Sequence, residues 1–291
     1  MNSEKKIGCI IVLYNPDLLM LYNILNRITN QVSIVYIVDN SIVDNNFNFS
    51  NYCNVVFDKL GKNIGIASAQ NIGLKFFQER NFDYILFLDQ DSIPSENLVE
   101  SLMNVYSFLK DNSISVGAVG PRPFNRGENK KYQGVINKGK KFNNNITEVN
   151  ELISSSSLIA VDCFNKVGLM EDGLFIDAVD HEWCWRAKYK GNYRFFIFED
   201  EILSHQLGEG DKKFLALNIH IPAPIRTYYQ FRNFIRLLNR DYVPLYWKFS
   251  NGIKYFVKYF YYTLFLSEGK KYFHFMNKGM IDGIKNKKGS I

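Results

Sequence analysis

Tyr84-Ile85-Leu86-Phe87-Leu88-Asp89-Gln90-Asp91-Ser92 is the stretch on which the fold turns. Five apolar residues run without a polar break, the pattern of a strand buried on both faces of a parallel sheet. Two carboxylates one residue apart follow at its carboxyl end, and ligands of open α/β sheets gather at that end. Hard oxygen ligands in this spacing suit a divalent cation, and the cation in turn suits a diphosphate. Alone the pattern is short. Asp and Ser also begin turns and helices, and Pro94-Ser95-Glu96 reads as a helix opening.

Working outward, residues 7–13 form a second apolar, β-branched run, broken by Tyr14-Asn15-Pro16. Leu18, Leu21, Leu25 and Ile28 then recur at helical spacing. Residues 33–38 read as a strand ending in Asp39-Asn40-Ser41, and residues 55–57 as a short one. The turn Gly61-Lys62-Asn63-Ile64-Gly65 precedes a helix over about 67–78. A helix over about 96–109 and a strand at 116–119 follow the paired carboxylates. Strands alternating with helices at this interval predict βαβ units and a mostly parallel sheet flanked by helices. Residues 120–150, rich in Asn, Lys and Gly, read as a long excursion over the sheet edge. Order returns with the serine run Ser154-Ser155-Ser156-Ser157, a short helix at 164–167, a helix over about 181–189 stopped by Gly191, and a strand at 193–198.

Composition narrows the class. With 46% hydrophobic and 22% charged residues the chain is globular. Cys9, Cys53, Cys163 and Cys184 lack C-x-x-C spacing, which argues against a zinc cluster or disulfide framework and suits a reducing compartment. The amino terminus leads directly into a strand-like run, without the pattern of a secretory signal. Charge is uneven. Residues 242–291 hold nine Lys against Glu268 and Asp282, a surplus of seven in a chain whose net charge is +6. This tail is crowded with Tyr, Phe and Trp and reads as interrupted helices. Its longest uncharged stretch, residues 259–267, is far short of the roughly 20 apolar residues of a spanning helix. Tyr255, Phe256, Tyr259, Phe260, Tyr262 and Phe265 cover a broad helix face, which suits a membrane surface or packing on the body or a second subunit. The basic patch lacks a nucleic-acid-binding motif.

The ordered set is Val12-Leu13-Tyr14-Asn15-Pro16, Val38-Asp39-Asn40-Ser41, Asn63-Ile64-Gly65, Ala69-Gln70-Asn71, Leu88-Asp89-Gln90-Asp91, Phe175-Ile176-Asp177-Ala178-Val179-Asp180-His181-Glu182-Trp183, Leu203-Ser204-His205, and Arg226-Thr227-Tyr228-Tyr229 with Arg232-Asn233. In order and spacing it resembles the inverting glycosyltransferases of family 2 with the GT-A fold, and within them the rhamnosyltransferases of bacterial surface-polysaccharide assembly. The resemblance covers about residues 7–240 and not the tail. It implies residues 1–241 as a GT-A domain, with a donor half to about 120 and an acceptor half from 121, followed by a helical, basic, aromatic extension over 242–291. It implies single-displacement transfer from a nucleoside diphosphate sugar, dTDP-rhamnose first and a UDP-sugar next, onto a lipid-linked saccharide at the cytoplasmic face of the membrane.

The roles follow residue by residue from that resemblance. Asp91 fits a ligand of Mn2+ or Mg2+, with Asp89 at the metal or ribose and His205 completing the site; imidazole suits Mn2+ better than Mg2+. Gln90 departs from the all-acidic triplet of many relatives and agrees with the rhamnosyltransferase-like group. Tyr14, Asn15 and Asp39 line the base and ribose. Asp39 can accept from the N3–H of uracil or thymine, or make an Asx turn. Asn63 and Gly65 approach phosphate or ribose ahead of a helix, and Gln70, Asn71 and Arg226 are donor contacts. Asp180 is the candidate base that removes the acceptor hydroxyl proton; its position at a helix start also suits a cap. Asp177, Glu182 and Trp183 are acceptor contacts, and His181 reads as a solvated helix residue. Two rivals remain: the same fold with UDP-glucose, UDP-galactose or UDP-galactofuranose as donor, and a non-catalytic sugar-nucleotide-binding subunit.

Overall fold

The fold is that of a computed structural model describing the backbone of residues 5–125, 130–131, 139–205, 211–214 and 217–291, and side chains over 5–122, 139–201 and 221–291. The first part of the chain alternates β1 (Ile7–Leu13), α1 (Leu18–Ile28), β2 (Ile34–Asp39), β3 (Val55–Lys59), α2 (Ile66–Glu79), β4 (Tyr84–Asp89), the two-residue β5 (Ser92–Ile93), α3 (Leu98–Asp111) and β6 (Val116–Asn125). Short strands β7 (Lys130–Lys131), β8 (Lys140–Lys141), β9 (Ile146–Val149) and β10 (Leu158–Ala160) follow. Then come α4 (Val161–Val167), a 3-10 turn (Asp172–Leu174), α5 (Val179–Gly191) and β11 (Arg194–His205). A hairpin of β12 (Asp211–Phe214) and β13 (Leu217–His220) leads to α6 (Pro224–Leu238), α7 (Leu245–Phe265) and α8 (Gly269–Ile284).

The main sheet runs β3-β2-β1-β4-β10-β6-β11-β9-β8. Its first four strands are parallel, and β10 runs antiparallel between β4 and β6. Register places the site: Leu13 pairs Asp39 and Val12 pairs Asp89, so three strand ends come out level at one edge. Two apolar layers cover the faces. Ile24, Leu25, Leu102 and Leu109 from α1 and α3 pack on one; Leu74, Phe77, Phe164 and Trp183 from α2, α4 and α5 pack on the other. This two-sided burial is why the strands read as continuous apolar runs.

Three expectations change. Residues 120–150 are not all excursion: β6 continues to Asn125, and β9 pairs β11 with Ile146, Thr147 and Val149 buried. The helix read from Pro94-Ser95-Glu96 begins at Leu98, because Ser92 and Ile93 first pair with β11. Gly191 is the last residue of α5, and Asn192 supplies the left-handed cap, φ 49°.

The tail is divided. Its α8 packs on α6 so closely that a Cβ on Gly279 would lie 2.4 Å from the Tyr228 carbonyl oxygen, and Tyr272, Met276 and Asp282 are buried in the seam. By contrast α7 buries only Trp247 and Tyr262. The aromatic face expected as one surface splits: Tyr255, Tyr259 and Tyr262 turn toward the body, while Phe256, Phe260 and Phe265 face solvent.

Candidate active site

The strand edge is stitched by amide side chains. Gln90 accepts from the Tyr14 amide at 2.7 Å through Oε1 and donates to the Tyr14 carbonyl at 3.1 Å through Nε2. A carboxylate has no donor for that second bond, which gives Gln90 its reason to stand between two aspartates. Asn40 does the same for the next turn. Its Oδ1 accepts from Ile64 N at 2.8 Å and its Nδ2 donates to Asn63 Oδ1, which also accepts from Gly65 N. The Asn63–Gly65 turn is therefore pinned rather than loose. Gly65 sits at φ +87°, and a Cβ there would lie 2.6 Å from the Phe175 carbonyl oxygen, which accepts from Ile66 N at 2.8 Å. The first amide of α2 is thus already taken by the 175 loop.

Tyr14, Asn40, Asn63, Gly65, Asp89, Gln90, Asp91 and Phe175 line a cleft of 370 Å³ at this edge. Tyr14 is exposed and Asp89 and Asp91 are half-buried. Asp39 is fully buried below it. Its Oδ1 accepts from Ser41 N at 3.0 Å, and its Oδ2 has no hydrogen-bond partner among the described residues. Ser41 Oγ holds the Asn15 amide at 2.8 Å, with Asn15 at φ 46°. Among the described residues no three His, Cys, Asp or Glu cluster as a metal cage. The hard-oxygen pair Asp89 and Asp91 still fits a cation that keeps several waters and takes its other oxygens from phosphates, because one or two carboxylates suffice for such a site. His205 ends β11, but its side chain lies outside the described residues.

The serine run joins this edge to Asp180. Ser155 Oγ accepts from Asp89 N at 3.3 Å and donates to Ser92 Oγ at 3.2 Å; Ser156, at φ 59°, gives its amide to Phe87 O. Ser154 N donates to Asp180 Oδ2 at 3.3 Å, and Gln70 Nε2 donates to Ser154 Oγ. One turn of small residues therefore touches both the paired carboxylates' strand and the candidate base. Asp180 Oδ1 also accepts from His181 N at 2.9 Å, so it meets part of the helix start's demand for acceptors.

The loop before α5 is strained: Phe175, Asp177 and Ala178 have φ of 66°, 64° and 64°. Such residues cost about 1–3 kcal/mol each and cluster at functional sites. Asn233 holds them, donating from Nδ2 to the carbonyls of Leu174, Ile176 and Asp177 at 2.7–3.0 Å. Arg226 forks onto Asp177, with Nη2 at 2.9 Å, and that bond raises its pKa.

Several expected contacts are structural instead. Glu182 is fully buried and takes a bidentate pair from Arg186 plus the Tyr242 hydroxyl at 2.7 Å. Burial and the neighbouring Glu182 push Tyr242 up to about 12. Trp183 lies in the core and donates to Gly168 O. Neither reaches an acceptor. Asn71 clips Met170 through both its amide atoms, and Gln70 is buried, which removes both from the cleft lining. Arg226 is occupied by Asp177 rather than facing the cleft. His181 is half-buried, with its ring 5.9 Å from Trp185, rather than fully solvated. Sequence reading missed Asn40, Ser154, Ser155 and Asn233 as organisers. Asn40 had a signal, its place at a strand end; Asn233 stood in a quoted motif, but its partners lie more than fifty residues away and its role did not show.

The model for glycosyl transferase family 2 matches residues 9–167. The chain is 33% identical over 257 residues to the dTDP-rhamnosyl transferase RfbF of Shigella flexneri, covering 84% of this chain and 83% of that one. Among solved structures it superposes on S. aureus TarS with a TM-score of 0.59 at 15% identity, covering 97% of this chain and about half, 49%, of TarS. For TarS 1-349 in complex with UDP-GlcNAc the TM-score is 0.57 at 16% identity, covering 96% of this chain and 81% of that one. GalNAc-T7 with UDP, GalNAc and Mn2+ gives 0.57 at 14% identity, covering 98% of this chain and 57% of that one.

Proposed function

Because the chain belongs to glycosyl transferase family 2 and has the GT-A fold, we propose that it transfers L-rhamnose from dTDP-rhamnose, with inversion, to a lipid-linked saccharide at a membrane surface. The observation that carries the reading is the serine turn, through which Asp180 and the end of β4, where Asp89 and then Asp91 stand, share one support. The choice of donor rests on the rhamnosyl relative. In this reading Tyr14 offers an exposed ring to the base, and the unpartnered Oδ2 of Asp39 accepts the N3–H of thymine. Asp89 and Asp91 hold Mn2+ or Mg2+, which supplies positive charge where the departing diphosphate becomes negative. The Mn2+ bound with UDP in GalNAc-T7 supports the metal. Asp180 takes the proton of the attacking hydroxyl on the face opposite the leaving group. Uracil carries the same N3–H, and TarS 1-349 binds UDP-GlcNAc, so a UDP-hexose is the second donor.

The membrane part rests on α7. Leu245, Phe249, Ile253, Phe256, Phe260 and Leu264 recur at steps of three and four and are 48–71% exposed. Lys248, Lys254 and Lys258 lie along the same helix. Such a helix lies in the headgroup layer, and no helix among the described residues is long and apolar enough to cross the membrane. Phe249→Glu with Ile253→Glu is expected to abolish sedimentation with phosphatidylglycerol vesicles. A wild-type protein that dimerises and ignores vesicles would assign the stripe to a second copy.

The catalytic reading is tested by Asp180→Asn. Transfer is expected to fall by roughly 10²–10⁴-fold while dTDP-rhamnose affinity stays at the wild-type value. Retained transfer, or lost donor binding, would remove Asp180 from the role of base.

A further inference from the structure

A second cavity, of 170 Å³, lies between the start of α5, the middle of α6 and the first half of α7. Its walls are Phe234, Trp247 and Tyr255. Their rings pack on one another, with Phe234 5.7 Å from Trp247 and 4.9 Å from Tyr255, and Trp185 buttresses Trp247 from behind at 4.9 Å. Its polar heads are Gln230, Asn251 and His181. Gln230 Oε1 is buried without a hydrogen-bond partner. Asn251 spends only its Nδ2, on Trp247 O, and neither its Oδ1 nor the His181 ring has a hydrogen-bond partner among the described residues. A buried amide oxygen without a partner is uncommon in a native protein and calls for an occupant that donates to it.

We propose that this cavity is the subsite that holds the sugar ring of the acceptor, so that α7, beyond the family match, selects the acceptor. The inference rests on the reading of Asp180 as base. A pyranose presents flat C–H faces to aromatic walls and hydroxyls to its rim, which matches three rings and three polar groups left with bonding capacity. The volume lies below the roughly 300 Å³ at which drug-sized pockets begin, so it suits one ring. A cation finds one carboxylate there, Asp177, already forked onto Arg226. A phosphate finds no uncommitted cation in the lining. Position adds to the argument: Asp177 and His181 line the cavity and flank Asp180 on the loop and first turn of α5, while the Asp180 carboxylate itself turns to Ser154 beside it.

The test uses full-length protein and three probes, methyl α-L-rhamnoside, methyl β-D-galactoside and methyl N-acetyl-β-D-glucosaminide. Saturation-transfer NMR is recorded on wild type, Asp180→Asn, Gln230→Met and Asn251→Leu, and calorimetry with dTDP-rhamnose is run on each. At least one glycoside is expected to bind wild type and Asp180→Asn equally. Its affinity is expected to fall about tenfold or more in Gln230→Met and in Asn251→Leu, with donor affinity unchanged. Two variants on different helices guard against one failing to fold. No glycoside binding to wild type, or binding equal in both pocket variants, would overturn the proposal. Transfer surviving in Asp180→Asn would instead overturn the base, leaving the glycoside result to be read separately.

Discussion

The two halves of this molecule are held by different chemistry. Around the strand-edge cleft, neutral amides and a hydroxyl do the tying: Gln90 to Tyr14, Asn40 and Asn63 to the turn before α2, Ser155 to Asp89. Behind Asp180, buried ions do the tying. Glu182 serves Arg186, Arg240 and Tyr242; Glu171 serves Arg236 and Arg240. Arg232, fully buried, spends its guanidinium on the carbonyls of Gly173, Leu174 and Gly289 beside the rings of Tyr228 and Tyr229. A neutral hydrogen bond contributes about 1 kcal/mol, whereas an ion stripped of its buried partner costs about 3–5 kcal/mol. The donor side is therefore locally editable. Behind Asp180 the strained loop at Phe175–Ala178 is held by Asn233 and by the Arg226–Asp177 pair, and the buried ions of Glu171 and Glu182 tie the surrounding helices.

The largest effect that would break this contrast is Glu182→Gln. It leaves Arg186 without its carboxylate and is expected to lower stability by about 3–5 kcal/mol in chemical denaturation. A loss under 1 kcal/mol would mean that the network is not the support described. Next is Asp39→Asn on the donor side. Stability is expected to hold, while donor affinity drops roughly ten- to hundredfold, the value of about 1.5–3 kcal/mol for a hydrogen bond to a charged group. Equal loss of stability and affinity would erase the difference between the halves.

The smallest effect is in the seam of α8. Burial alone would raise Asp282, but hydrogen bonds from Lys287, Lys278 and Tyr228 hold it down at about 2, against an ordinary 3.8. A depressed carboxyl contributes stability that is full above its unfolded value and is lost as pH falls through its folded one. The stability gap between wild type and Asp282→Asn, about 2 kcal/mol at most, is expected to close between pH 4 and pH 2. A gap constant across that range would show that the lysines do not act through the carboxylate.

The same contrast sets how far sequence reading could go. Strand ends were legible because apolar runs of the parallel sheet stop at polar residues, and level register brings Tyr14, Asp39 and Asp89 together. Charge pairs were not legible. Glu182 stands two residues from Asp180 in sequence, yet at 3.6 residues per turn it faces about 200° away, into the core. Helix α6 escaped because Arg232 and Arg236 are buried where the helical pattern expects apolar residues. The aromatic tail was half legible. Periodicity marked the face of α7, but which rings turn inward depends on α6 and α8, and that is a property of packing rather than of the segment.

The central claim is that the cleft at the strand edge binds a nucleoside diphosphate sugar through Asp39 beneath it and a cation on Asp89 and Asp91. Calorimetric titration of wild type with dTDP-rhamnose, UDP-glucose, UDP-galactose and UDP-galactofuranose, with Mn2+ and then with EDTA, tests it most directly. The account predicts tightest binding of dTDP-rhamnose, lost on chelation. Binding of none of the four by folded protein, or binding indifferent to EDTA, would contradict it.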